Sequence, residues 1–65
     1  MDREYDLFEK LPNGSITWRA LVSGRDNAIR KLRKLASQSS NEFLAVHKPS
    51  QEVIARLNTR KAPSR

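Results

Sequence analysis

The chain has no cysteine. A disulfide framework and a thiolate metal site are therefore excluded, and with His47 as the single histidine a zinc site has too few ligands. Glycine is scarce too. Gly14 and Gly24 stand alone, so no glycine-rich loop exists to cradle a phosphate. No apolar run approaches the roughly 20 residues that cross a bilayer. The first residues, MDREYD, are polar and acidic, unlike a secretory signal. With the lack of cysteine, this makes the cytoplasm the expected location. Sixty-five residues make one domain, of a size that buries only about 60% of its unfolded surface.

Charge of one sign, by contrast, is abundant, and the net charge is +6. It is uneven along the chain. Residues 1–15 carry four acidic groups against two basic, and residues 16–65 carry eleven basic against three acidic. A basic surface attracts phosphate backbones, anionic lipid or acidic protein faces, and it also keeps a small domain in solution.

The basic residues are densest in 23–38, SGRDNAIRKLRKLASQ, which reads as the one helix. Ala28, Ile29, Leu32, Leu35 and Ala36 fall in an arc roughly 120° wide centred on Leu32, the stripe a helix lays on a sheet. Arg30, Lys31, Arg33 and Lys34 occupy the other side. Ser23 is expected to cap the start, with Asp26 reaching back from the third position in a capping box. The small polar run SQSSN, residues 37–41, ends the helix by competing for backbone bonds.

Four strands flank it: 4–10 (EYDLFEK), 16–22 (ITWRALV), 42–47 (EFLAVH) and 52–58 (EVIARLN). Alternation puts Tyr5 and Leu7 on one face of the first strand, and Phe8 with Asp6 and Lys10 on the other. In the second strand Ile16, Trp18, Ala20 and Val22 form an almost wholly apolar face, expected to meet the helix, opposite Thr17, Arg19 and Leu21. Trp18 is thus expected in the core, where Trp18→Ala costs roughly 3–5 kcal/mol. Phe43, Ala45 and His47 oppose Leu44 and Val46, and Val53, Ala55 and Leu57 oppose Glu52, Ile54 and Arg56. Asn13-Gly14 in LPNGS supplies the positive φ of a tight hairpin, and KPSQ, residues 48–51, turns around Pro49. Residues 59–65, TRKAPSR, lack apolar periodicity and read as a basic disordered tail to a domain of residues 1–58.

The order ββαββ defines an α+β fold, a four-stranded antiparallel sheet with one helix packed on it. A helical crossover returns the chain so that the third strand starts parallel to the second and antiparallel to the first. The order 2-1-3-4 makes every neighbour antiparallel and is preferred, while 1-2-3-4 keeps sequential strands adjacent at the cost of one parallel pair. One helix covers one sheet face. Phe8, Leu21, Leu44, Val46 and Ile54 are then expected on the open face as a protein interface, with a sheet-to-sheet homodimer, or another protein, covering it.

Catalytic chemistry finds little support. His47 sits at a strand end, a general-base role needs a nucleophile or substrate pocket that no pattern in the sequence supplies, and it reads as a strand-end histidine. The serines fall at turns and caps, and no nucleophile-elbow pattern surrounds them. No catalytic, cofactor-binding or metal-binding residue is assigned, and no enzyme is expected. The basic helix face, Arg30, Lys31, Arg33 and Lys34, extended by Arg60 and Lys61 of the tail, can follow a phosphate backbone. No RNP aromatic set, KH loop or helix-turn-helix pattern accompanies it. The helix's apolar stripe is small, has no aromatic residue and is needed by the sheet, so no membrane partner is expected.

The runs YDLFEKLPNGSITWR, KLRKLAS and NEFLAVHKPSQEVIARLN together resemble a group of small uncharacterised bacterial proteins. In these a YxxF strand, a DG or NG turn, a Trp-containing strand, an amphipathic helix and a final hairpin recur. The resemblance spans most of residues 4–58 and implies a bacterial source and a small α+β domain. It brings no activity, cofactor or catalytic residue. Arg25 stands where a helix-face apolar residue belongs, and KPSQ replaces a glycine-containing turn. The expectation is a small non-enzymatic interaction module, homodimeric through the open sheet face. The alternative is a nucleic-acid-binding domain using the helix and tail.

Overall fold

A computed structural model of the chain describes residues 3–58. The tail, including Arg60 and Lys61, lies outside the described residues. The elements are β1 (Glu4–Lys10), β2 (Ile16–Ser23), α1 (Arg25–Ser37), β3 (Glu42–His47) and β4 (Glu52–Leu57). They form one four-stranded sheet in the order β2-β1-β3-β4, with every neighbouring pair antiparallel. This is the favoured α+β arrangement. Each hairpin stays intact, and α1 carries the chain from the outer edge of β2 across one face to the far side of β1.

The first hairpin turns through Leu11–Ser15. Leu11 N–H donates to Ser15 O at 2.7 Å, and Gly14 N–H to Leu11 O at 2.9 Å. Pro12 takes the second place of this four-residue turn, where its fixed φ suits the geometry and no donor is needed. Within this turn only Gly14 adopts a positive φ, 94°, and it is the residue that supplies the expected left-handed backbone of Asn13-Gly14, while the Asn13 side chain accepts from Ser15 N–H at 2.9 Å.

Two extra residues decide which side chains face α1. In β2, Leu7 pairs with Ala20 but Phe8 pairs with Trp18, so Arg19 is a β-bulge. Alternation inverts across it. Ala20 and Val22 pack toward α1, while Trp18 and Ile16 lie on the opposite face and are exposed. The expected core role of Trp18 is wrong for this reason. In β4 the same happens at Ile54, since Ala45 pairs with Ala55 and Val46 with Val53. Ile54 packs against the helix-side core instead of the open face, and Val53 takes its place outside.

The core lies between α1 and the two central strands. Tyr5, Leu7, Phe43 and Ala45 meet Ala28, Leu32 and Ala36, and Leu7, Leu32 and Phe43 are the largest fully buried side chains. Each of these three contributes about 1.5–3 kcal/mol through burial. Alanines above and below Leu32 let the helix approach the sheet closely. The helix ends differ from the capping box expected. Ser23 closes β2, and Gly24 is the N-cap, with φ 90° and no side-chain cap bond. Gly24 N–H instead donates to Arg3 O at 2.8 Å, and Asn27 Nδ2 donates to Ser23 O at 3.1 Å.

Candidate functional site

The open sheet face is the first candidate. Rows of paired residues cross it. Trp18, Phe8, Leu44 and Arg56 make one row, and Leu21, Asp6, Val46 and Val53 the next. Its apolar groups are graded by position. Val46, at the centre, is 9% exposed, Phe8 and Leu44 are half-buried, and the edge is open: Trp18 56%, Ile16 57%, Leu21 46% and Val53 43%. Central residues are shielded by cross-strand neighbours on both sides, whereas β2 has a neighbour on one side only. Trp18 Nε1–H donates to Asp6 Oδ1 at 3.2 Å, which lays the indole across β1 rather than letting it swing free. Of the interface residues expected from sequence, Phe8, Leu21, Leu44 and Val46 stand together here and Ile54 does not. Trp18, Ile16 and Val53 are the ones that sequence reasoning missed.

The second candidate is the outer face of α1. Arg30, Lys31, Arg33 and Lys34 are all exposed. The ion pairs found among the described residues, Arg19–Glu9 at 3.6 Å and Arg56–Glu42 at 4.0 Å, both belong to the sheet. Arg30 and Arg33 border a shallow groove of about 310 Å³ with Asp26 and Ile29.

His47 is partnered at the strand end. Its Nδ1 lies 2.8 Å from Ser50 Oγ, and its ring stacks obliquely on Tyr5 with centroids 5.2 Å apart. A serine hydroxyl beside an imidazole is the first step of a nucleophilic dyad, but here the hydroxyl is part of the turn itself, 3.4 Å from the Glu52 N–H it accepts from. The depression of about 240 Å³ lined by Lys10, Leu11, Pro12, Ser40, Asn41 and Glu42 is at the opposite end of the sheet. Among the described residues no group of three or more His, Cys, Asp or Glu side chains could hold a metal ion, and no helix is long and apolar enough to cross a membrane.

Comparison of the chain with protein-family models, with curated proteins and with solved structures gives no match.

Proposed function

We propose that this chain is a small non-enzymatic interaction module, of bacterial origin, that works as a homodimer formed through the open sheet face. The observation that carries the reading is the edge of that face, where Ile16, Trp18 and Leu21 stand about half exposed beside Phe8 and Leu44. A contiguous apolar surface on so small a body is a standing cost in water, and a partner face removes it.

A second copy is the occupant that the charges favour. Residues 3–58 hold ten basic and six acidic groups, and α1 holds five of the basic and one of the acidic. The sheet and loops are thus balanced, five against five. Two copies meeting sheet to sheet bring together mixed, self-complementary faces, Lys10 and Arg56 with Asp6 and Glu42, and hold their cationic helices on the far sides. Self-repulsion is then at its weakest.

Trp18 is the only tryptophan, so the face reports on itself. Sedimentation equilibrium is expected to show a monomer–dimer equilibrium, with Trp18 emission moving to the blue as concentration rises. Trp18→Glu is expected to leave a folded monomer. A chain that stays strictly monomeric at millimolar concentration, with unchanged emission, sinks the reading.

A further inference from the structure

All the net charge of residues 3–58 sits on α1, where it spans the outer half of the helix. Arg30, Lys31, Arg33 and Lys34 occupy little more than one turn, about 6 Å along the axis. At about 100° per residue, Arg30 and Lys34 project from the crown, within about 20° of the direction opposite Leu32. Lys31 and Arg33 project from the two flanks, each about 100° from Leu32 and on opposite sides. Compensation of the helix dipole does not ask for this belt, since it acts at the last turn, where Lys34 is the basic residue.

The shape of the belt selects its partner. A flat anionic surface, such as lipid headgroups, meets the crown pair and leaves the flank pair pointing along it. The belt also offers no apolar group to insert between lipids. A groove walled by phosphates on both sides meets all four cations. An α-helix with its side chains is about 10–12 Å across, and the major groove of B-form DNA is about 12 Å wide. The major groove of duplex RNA is too narrow and deep for side chains to read.

We propose that α1 docks through Arg30–Lys34 into the major groove of double-stranded DNA, with Lys31 and Arg33 on the two backbones and Arg30 and Lys34 toward the groove floor. Asp26, on the Arg33 flank near the helix start, biases the contact to the C-terminal half. The surface is separate from the open sheet face, and the docking does not depend on dimerisation.

The test is a fluorescence-anisotropy titration of the full chain, keeping Arg60 and Lys61, onto a labelled mixed-sequence DNA duplex. Two phosphate contacts predict an affinity that falls about tenfold between roughly 50 and 200 mM salt. Lys31→Glu with Arg33→Glu is expected to weaken binding by more than about tenfold. The charge-matched pair Arg3→Glu with Lys48→Glu, both exposed and off the helix, is expected to change it by less than about threefold. Equal losses in the two double variants overturn the proposal, because net charge alone then explains the binding. So does tighter binding to duplex RNA or to phosphatidylserine vesicles than to the DNA. Amide NMR shifts of the unaltered chain supply a second reading: shifts centred on Arg30–Lys34 support the docking, and shifts centred on β1 and β2 overturn it.

Discussion

Asn58 closes α1 from a distance. Its side-chain nitrogen lies 2.9 Å from Ala36 O, 2.8 Å from Ser39 O and 3.1 Å from Asn41 O, so one amide gathers carbonyls from the last turn of the helix and from the segment that follows it. Asn58 also takes a left-handed φ of 59°, a conformation asparagine tolerates better than most residues. Asn58→Ala is expected to lower stability by about 1–3 kcal/mol in urea unfolding. Asn58→Asp is expected to cost more, because a carboxylate then faces three carbonyl oxygens. Gln51 is the opposite case. It sits at φ 62° in the second turn, held by its N–H to His47 O at 2.7 Å. Gln51→Gly relieves that backbone but loses the bond from Gln51 Nε2 to Lys48 O at 2.7 Å, and the expected net change in the same melts is a gain of under about 0.5 kcal/mol. In sequence, Asn58 is a strand end and Gln51 a turn residue. Neither local pattern reveals carbonyl partners about twenty residues away or a left-handed glutamine.

At the scale of elements, the strands and the helix are legible in the sequence because each has its own period and is bounded by strong punctuation, Pro12 with Gly14, Gly24, and Pro49. The phase of two strands is not. Around Arg19 the sequence runs on into Ala20-Leu21-Val22, and in β4 it reads Val53-Ile54-Ala55. Consecutive apolar residues satisfy either face, so alternation loses its power to set phase where the bulges occur. Arg19 has a partner that helps to hold its bulge, the Glu9 carboxylate, which also accepts from Asn41 Nδ2 at 2.6 Å. That link joins residues far apart in sequence and cannot be read from β2 alone. The outcome is measurable. In dilute solution Trp18→Ala is expected to cost under about 1 kcal/mol, while Leu32→Ala costs about 2–5 kcal/mol.

The whole molecule has two unlike sides, an apolar and charge-balanced sheet and a cationic helix. Strand directions and the single crossover leave two orders legible in the sequence, the preference for antiparallel neighbours selects 2-1-3-4, which the sheet adopts, and either order leaves an open face. The balance of charge on the sheet side depends on where the residues stand in space, which no run of the sequence displays. Salt is expected to act unequally on the two sides. The sheet contact is mainly apolar and the helices lie on its far sides, beyond a screening length of about 8–10 Å, so raising salt changes self-association little while it weakens any phosphate contact on α1. Sedimentation and anisotropy measured across one salt series would separate the two responses, and a self-association that falls with salt as steeply as phosphate binding would count against the sheet-face dimer.

The bulge at Arg19 makes that position the one place in β2 where a residue can be lost without turning its neighbours over. Leu7 pairs with Ala20 and Phe8 with Trp18, so a chain that lacks Arg19 alternates without interruption and keeps Trp18 and Ile16 on the outside, with Ala20 and Val22 toward the helix. What goes with it is the ion pair to Glu9. Loss of Ala20 instead brings Arg19 opposite Leu7 and aims a guanidinium at the space that Tyr5, Leu7 and Leu32 already fill. Tolerance of loss at one position and intolerance at the next is the signature to seek in a library of deletion variants.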